Sequence, residues 1–196
     1  MGELVLLLGG ARSGKSAYAQ RLARELGGDQ VLFVATAEAK DEEMRVRIEA
    51  HRGGRPAAWR TIEAPRQTGR AIAAVLGDAR VVLVDCLTLL VSNILLSFGD
   101  EPDASEADSA VLEEVEEIIG ACASGDATFV IVSNEVGLGL VPGEPLGRVF
   151  RDLLGRANQV VAAKASKVYW MIAGLPVELK SLQGREQRQR PILPRG

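Results

Sequence analysis

The segment that most constrains this chain is an apolar run that leads directly into a glycine-rich loop, LVLLLGGARSGKS at residues 4–16. The loop fits the pattern G-x-x-x-x-G-K-[ST], with Gly9, Gly14, Lys15 and Ser16 at the specified positions. Glycines let such a loop turn tightly and aim its backbone N–H groups inward, and the following helix adds the positive end of its dipole. The alternative is a glycine-rich turn that contains Lys and Ser by chance. The flanking strand-like and helix-like segments favour a nucleoside triphosphate site.

Two side chains of this loop have distinct predicted roles. Lys15 is placed to reach the β- and γ-phosphates, and the Ser16 hydroxyl is a ligand for Mg²⁺. The residues predicted to surround the phosphates are Gly9, Gly10, Ala11, Arg12, Ser13, Gly14, Lys15 and Ser16.

Short apolar runs alternate with longer amphipathic segments along the rest of the chain, which is the pattern of a mainly parallel sheet with crossover helices. The 196 residues are predicted to form one α/β domain at 1–180, followed by a mobile tail at 181–196. The predicted strands are Leu4–Leu8, Val31–Ala35, Val81–Asp85, Phe129–Ser133 and Lys167–Ile172. The predicted helices are Lys15–Leu26, Asp41–His51, Gln67–Leu76, Thr88–Ser97, Asp108–Ala123 and Leu146–Ala163.

A polar stretch at residues 99–108, GDEPDASEAD, is predicted to be a loop that ends in Asp108 as the N-cap of the next helix. A run of four glutamates follows on that helix. We interpret this run as a solvated helix face rather than a metal site; it comprises Glu113, Glu114, Glu116 and Glu117.

Ligands of parallel α/β sheets bind beyond the carboxyl ends of the strands. Besides the phosphate loop, the residues at these ends are Thr36, Asp85, Asn134–Glu135 and Gly174. Asp85 closes the apolar strand VVLVD as the acidic residue of a Walker B element does, so we predict that it holds Mg²⁺ directly or through water. The alternative is that Asp85 caps the helix that starts near Thr88.

Composition excludes several other classes of protein. The formal net charge of −3 gives no indication of a nucleic-acid groove, and no apolar stretch reaches membrane-spanning length. The two cysteines, Cys86 and Cys122, form neither a metal-ligand pattern nor a disulfide framework, so we interpret both as small core residues in a reducing compartment. We therefore expect a cytoplasmic protein.

The single histidine, His51, lies at the end of a predicted helix and among arginines, in RVRIEAHRGGRPAAWR. The helix dipole favours a protonated imidazole at this position, whereas the positive charges of Arg45, Arg47, Arg52 and Arg55 disfavour it. A neutral imidazole is the form that attacks phosphorus. A histidine on such a helix is more often a packing residue, and spacing alone does not decide between the two roles.

Five blocks of sequence together resemble one family. GGARSGKS, EMRVRIEAHRGGRPAAWRTIEAP, VVLVDCLTLLVSN, VSNEVGLGLVP and FRDLLGRANQ are similar to segments of the adenosylcobinamide kinase/adenosylcobinamide-phosphate guanylyltransferase family. The blocks occur in the family's order, and only the tail falls outside the resemblance. The phosphate loop is shared with many unrelated proteins, but H-R-x-x-R-P-x-x-W and S-N-E-V-G-x-G-x-V-P are much more particular.

The resemblance implies a RecA-like P-loop fold and a bifunctional enzyme of cobalamin nucleotide-loop assembly. A nucleoside triphosphate, ATP or GTP, phosphorylates adenosylcobinamide; GMP then passes from GTP through a guanylylated histidine, His51 here, to adenosylcobinamide phosphate. The resemblance also implies a homotrimer. It assigns further nucleotide-binding residues, which are Thr36, Ala37, Glu38, Arg52, Gly53, Gly54, Arg55, Glu63 and Asp85.

Two other functions share the phosphate loop and Asp85. One is an ordinary P-loop small-molecule kinase in which His51 is structural, and the other is a non-catalytic nucleotide-binding switch. A covalent nucleotide and selectivity for guanine would separate the first from the bifunctional enzyme, whereas binding without turnover would indicate the second. The sequence leaves open the general base for the substrate hydroxyl; Glu135 is a candidate for that role or for a structural hydrogen bond.

Overall fold

A β-sheet forms the centre of the molecule. The structure is a computed structural model that describes residues 2–38, 56–99 and 101–183. Within these residues seven strands form the sheet in the order β3-β2-β4-β5-β1-β6-β7. The strands are β1 (Leu4–Gly9), β2 (Val31–Ala35), β3 (Arg60–Glu63), β4 (Val81–Asp85), β5 (Thr128–Val132), β6 (Lys167–Ile172) and β7 (Leu175–Glu178). All neighbours are parallel except β7, which pairs antiparallel with β6. The predicted α/β class with a mainly parallel sheet is confirmed.

Helices cover both faces of the sheet. The described helices are α1 (Lys15–Gly27), α2 (Thr68–Val75), α3 (Leu87–Leu96), α4 (Ala104–Ala123), α5 (Pro145–Lys164) and a short turn at 179–183. Alternate strand residues such as Val5 and Leu7 pack against α1, while Leu4 and Leu6 face a larger core with α2 to α5. Because β1, β2 and β5 are thus apolar on both faces, each is a nearly continuous hydrophobic run.

All five predicted strands are confirmed to within one residue, and four of the predicted helices match α1, α2, α3 and α5 equally well. Two strands at the sheet edges were not predicted. β3 reads RTIE and is largely exposed, and β7 reads LPVE with a proline, so neither carries the buried apolar run on which the prediction relied. The predicted helix Asp41–His51 and the tail beyond residue 183 lie outside the described residues.

The predicted start of α4 was wrong. The helix begins at Ala104, and its N-cap is Asp103, whose carboxylate accepts hydrogen bonds from the N–H groups of Ser105 (2.8 Å) and Glu106 (3.0 Å). Asp103 and Glu106 have the spacing of a capping box, a signal that the sequence contained. Asp108 lies inside the helix instead and pairs with Arg156 of α5 at 2.6 Å.

The interpretation of the four glutamates as a solvated face was wrong for two of them. The Glu114 carboxylate accepts hydrogen bonds from the first N–H groups of α2, including that of Gln67 at 2.8 Å, and Glu117 pairs with Arg70 at 2.6 Å. The two helices touch at Gly69, where an added Cβ would lie 2.5 Å from the Glu117 carbonyl carbon. α4 therefore caps α2 from outside, because α2 has no side-chain cap of its own.

This external cap predicts a specific loss of stability. Glu114→Ala leaves the first N–H groups of α2 without their acceptor and is expected to lower the free energy of unfolding by about 1 kcal/mol. Urea denaturation measures the change, with the exposed Glu116→Ala on the same helix as the matched control. Equal unfolding free energies for the two variants would contradict the capping role.

Candidate functional site

The phosphate loop connects β1 to α1 and folds around the side chain of its own lysine. Lys15 is 7% exposed, and its Nζ donates hydrogen bonds to the carbonyl oxygens of Gly9 (2.9 Å) and Gly10 (2.6 Å). The Ser13 hydroxyl lies 3.4 Å from the same Nζ. The loop predicted from the sequence is therefore formed, with the lysine ammonium at its centre.

The ammonium of Lys15 is held in a desolvated position. Burial lowers the pKa of Lys15 below its usual value, and the negative charge of Asp85 at the end of β4 opposes this shift only in part. A buried cation with incomplete compensation gains from any anion brought beside it. The loop is thus electrostatically prepared for phosphate.

The turn between β6 and β7 supports the phosphate loop. β6 and β7 are joined by Ala173 and Gly174, both with positive φ (50° and 82°), as in the tightest β-hairpins. The Gly174 N–H donates to the Ser13 carbonyl at 2.9 Å. Gly14 has a φ of 91°, and a Cβ added there would lie 3.1 Å from the Gly174 Cα. Gly174 therefore contacts the phosphate loop, as its position at a strand end suggested.

Arg12 is the unusual residue of the loop. It has a φ of 57°, a left-handed conformation that residues other than glycine rarely adopt, and its side chain is exposed beside the exposed Ala11. This conformation turns the backbone of the phosphate loop and leaves the Arg12 side chain exposed to solvent.

Asp85 emerges on the same face of the sheet as α1. It follows Val81 and Leu83 at intervals of two, and both of those residues belong to the core under α1. One strand, β5, separates β4 from β1, so Asp85 lies about 10 Å across the sheet from the loop strand. The N-cap of α3 is Cys86 rather than Asp85, so the capping alternative for Asp85 is not found.

Cys86 follows Asp85 through a cis peptide bond and carries a free thiol. Burial, reinforced by the charge of Asp85, raises the pKa of Cys86 to about 11. The thiol is therefore neutral at physiological pH and adds no negative charge beside Lys15.

Thr36 joins the ends of β2 and β4. Its hydroxyl accepts a hydrogen bond from the Cys86 N–H (2.8 Å) and donates one to the Cys86 carbonyl (2.7 Å), and the residue is fully buried. The Asn93 amide donates to the Thr36 carbonyl at 2.7 Å and to the Pro65 carbonyl at 3.2 Å. This role of Asn93 was not predicted, although a polar amide within the apolar helix LTLLVSNILL was a usable signal.

The end of β5 is attached to the phosphate loop through its backbone. The Glu135 N–H donates to the Gly9 carbonyl at 3.1 Å, and the Asn134 N–H donates to the Thr88 hydroxyl at 2.8 Å. The Glu135 carboxylate accepts a hydrogen bond from the Gly137 N–H at 2.6 Å, so it is engaged within its own loop. This arrangement favours the structural hydrogen bond over the general base for Glu135.

The remaining predicted site residues separate into two groups. Ala37 and Glu38 lie half-buried just beyond β2, and Glu63 lies exposed at the end of β3. Glu63 is in register with Ala35, which is in register with Asp85, so a row of residues crosses three strand ends. His51, Arg52, Gly53, Gly54 and Arg55 lie outside the described residues.

A glycine loop between β1 and α1, a buried lysine at its centre and a carboxylate at the end of β4, two strands from β1, define a P-loop nucleotide-binding protein with a mainly parallel sheet. A sequence model of the family described as cobinamide kinase/cobinamide phosphate guanyltransferase matches residues 5–179. The chain belongs to this family.

Two relatives that are more than 40% identical to this chain agree with the family match. The chain is 42% identical to the bifunctional adenosylcobalamin biosynthesis protein CobU of Escherichia coli (strain K12), covering 90% of this chain and 99% of that protein. It is 43% identical to the bifunctional adenosylcobalamin biosynthesis protein CobP of Pseudomonas aeruginosa, covering 89% and 96%. It is also similar to the flagellar accessory protein FlaH from Methanocaldococcus jannaschii, with a TM-score of 0.47, 16% identity and coverage of 89% of this chain and 75% of that chain.

Within the described ranges, no helix has both the length and the apolar character needed to cross a membrane.

The contact between the phosphate loop and the β6–β7 turn predicts an asymmetry between two loop glycines. Gly14→Ala places a Cβ against Gly174 at an unfavourable φ and is expected to lower the melting temperature by about 3 °C or more. Gly10→Ala meets no atom within 4 Å and is the matched control for stability. Differential scanning calorimetry of the two variants makes the comparison, and equal melting temperatures would show that the turn does not restrain the loop.

Proposed function

We propose that this enzyme phosphorylates adenosylcobinamide with ATP or GTP and then transfers GMP from GTP, through a guanylylated His51, to the resulting phosphate. The products of the second reaction are adenosylcobinamide-GDP and pyrophosphate. The observation that carries the proposal is the desolvated Lys15 at the centre of a formed phosphate loop, in a chain whose family match extends from residue 5 to 179.

The kinase reaction needs positioning and charge neutralisation more than covalent chemistry. The loop supplies backbone N–H groups from the first turn of α1, and Lys15 supplies a positive charge in a low-dielectric position. The substrate hydroxyl attacks the γ-phosphorus, the bond to the β–γ bridging oxygen breaks, and the nucleoside diphosphate leaves. The hydroxyl proton passes to a base for which we assign no residue.

The guanylyl transfer proceeds in two displacements on the α-phosphorus of GTP. A neutral imidazole nitrogen of His51 forms a P–N bond while pyrophosphate leaves, and an oxygen of the substrate phosphate then attacks as the P–N bond breaks. Protonation of the imidazole makes it a good leaving group in the second displacement. The arginines Arg52 and Arg55 are suited to the charge of the departing pyrophosphate.

Ser16 and Asp85 fit a role in holding Mg²⁺. A hydroxyl and a carboxylate are the oxygen ligands that Mg²⁺ prefers, and both residues are half-buried at the α1 face of the sheet. Among the described residues no group of three or more His, Cys, Asp or Glu side chains forms a metal site, so phosphate oxygens and water would complete the coordination. Bound Mg²⁺ neutralises charge on the phosphate oxygens.

The row from Asp85 to Glu63 supports an extended position for the nucleotide. β3 lies four strands from β1, so Glu63 is about 19 Å from the loop strand and is suited to the base rather than the phosphates. Gly53 and Gly54, with Ala37 and Glu38, complete the proposed nucleotide segment, whereas Thr36 contributes by joining β2 to β4. We further propose a homotrimer in the cytoplasm.

A covalent adduct tests the proposed intermediate. Incubation with Mg²⁺ and GTP labelled at the α-phosphate is expected to label the protein, with an acid-labile, base-stable GMP group located on His51 by mass spectrometry. GTP labelled at the γ-phosphate is the control and should leave no label. A folded protein that binds GTP without forming the adduct would instead be an ordinary P-loop kinase with a structural His51.

The two activities should separate in one variant. His51→Ala removes the nucleophile and is expected to reduce guanylyl transfer at least about a thousandfold while kinase activity stays within about tenfold. Both rates are measured on the same purified protein, with cobinamide for the kinase and cobinamide phosphate for the transfer. Equal loss of both activities in a folded variant would contradict this division.

The metal role of Asp85 predicts a changed Mg²⁺ requirement. Asp85→Asn keeps the side-chain shape but removes the charge, so the Mg²⁺ concentration for half-maximal kinase activity should rise about tenfold or more. The matched control is Asp78→Asn, because Asp78 is exposed and lies just before β4, at the opposite end of the strand from Asp85. An unchanged Mg²⁺ titration for Asp85→Asn would assign this carboxylate another role.

A further inference from the structure

The connection between β5 and α5 exposes an unusual amount of apolar surface. The side chains of Leu138, Leu140 and Val141 are 80%, 97% and 65% exposed. Three large apolar side chains within four residues form a patch of the kind that marks a binding surface in soluble proteins. We define residues 136–142 as the apolar loop.

The apolar loop leaves the sheet directly beside the phosphate loop. β5 and β1 are neighbouring parallel strands, and the Ser133 N–H donates to the Leu7 carbonyl at 2.9 Å. The next backbone contact, from the Glu135 N–H, reaches the carbonyl of Gly9, the first glycine of the phosphate loop. The apolar loop therefore begins next to the first glycine of the phosphate loop.

Both ends of the apolar loop are anchored, while Leu138, Leu140 and Val141 between them are exposed. The Glu135 carboxylate accepts from the Gly137 N–H at one end, and the Arg148 guanidinium donates to the carbonyls of Pro142 (3.1 Å) and Gly143 at the other. A surface held in this way loses little conformational freedom when a ligand binds.

The direction of the apolar loop suits an acceptor better than a nucleotide. α1 and the carboxylate row lie on one face of the sheet, whereas α5, to which the loop leads, packs on the other. In-line phosphoryl transfer places the attacking and leaving oxygens on opposite sides of the phosphorus. A nucleotide held on the α1 side thus leaves the α5 side to the attacking hydroxyl.

The chemistry of the loop also matches the acceptor. No residue from Val136 to Gly143 has an ionisable side chain, so the loop offers no charge to a phosphate or to a charged partner. Cobinamide, the acceptor of this family, is a large corrinoid ring with extended apolar surface and neutral amides at its rim. Its reacting hydroxyl must come within about 3.5 Å of the phosphorus, which brings the ring over this region.

Three exposed side chains do not by themselves make an interface with a second copy of the chain. A stable interface between proteins buries roughly 800 Å² on each partner, far more than three side chains supply. We propose that the apolar loop, through Leu138, Leu140 and Val141, binds the apolar surface of the corrinoid acceptor and so helps to select it. This inference rests on the proposed kinase and guanylyltransferase function, whose acceptors are cobinamide and its phosphate.

The double variant Leu138→Ser/Leu140→Ser tests the proposal on exposed positions that the fold does not need. We expect kcat/KM for cobinamide and for cobinamide phosphate to fall about tenfold or more, mainly through KM. KM for the nucleotide should not change, and formation of the GMP adduct from GTP alone, which requires no acceptor, should proceed at the native rate.

The control is Leu96→Ser, a 47% exposed leucine at the end of α3, and its KM for cobinamide should equal that of the native enzyme. An unchanged KM for cobinamide in the double variant would overturn the proposal. So would a smaller oligomer in light scattering, which would assign the apolar loop to a subunit interface. Failure of the native enzyme to form the GMP adduct would count against the proposed function instead, because that measurement does not involve the loop.

Discussion

The burial of the Lys15 ammonium is the constraint on which the rest of the site depends. A cation removed from water must be surrounded by oxygen atoms, and here the carbonyls of Gly9 and Gly10 take that place. These carbonyls surround the ammonium with dipoles rather than full charges, so burial keeps the pKa of Lys15 below its usual value even with Asp85 nearby. The same incomplete compensation gives a bound phosphate its advantage. Phosphate binding and the shape of the loop around Lys15 therefore have one electrostatic cause.

The loop keeps this shape because the strand ends on both sides of β1 hold its backbone. On one side the Glu135 N–H, beyond β5, donates to Gly9; on the other the Gly174 N–H, in the β6–β7 turn, donates to Ser13. Neither contact uses a side chain, which explains why the supporting residues need only a suitable backbone conformation. Positioning of the lysine is thus a property of three adjacent strands rather than of the glycine loop alone.

Sequence periodicity predicted the parts of the molecule in which one physical effect dominates. Strands buried on both faces are continuous apolar runs, and the phosphate loop requires glycines at fixed positions, so both were recognisable. The edge strands β3 and β7 form because each pairs with a neighbouring strand, and their own sequences do not indicate that neighbour. The structural hydrogen bonds of Glu114 and Thr36 were not predicted, for a related reason. Their hydrogen bonds join segments that are 46 to 50 residues apart, and only the fold brings those segments together.

The order of the strands also explains how the carboxyl ends of the strands can bind two substrates. β5 stands between β1 and β4, so the carboxylates of Asp85 and Glu63 extend away from the phosphate loop on the α1 face. The chain leaves that same β5 toward α5 on the opposite face, and it exposes Leu138 and Leu140 as it does so. A charged nucleotide and a largely uncharged ring would then meet only at the loop, where the phosphoryl group is exchanged. Crossover connections between parallel strands are right-handed, so the connecting helices change to the other face of the sheet where the strand order reverses. This rule is sufficient to place the nucleotide side and the acceptor side on opposite faces.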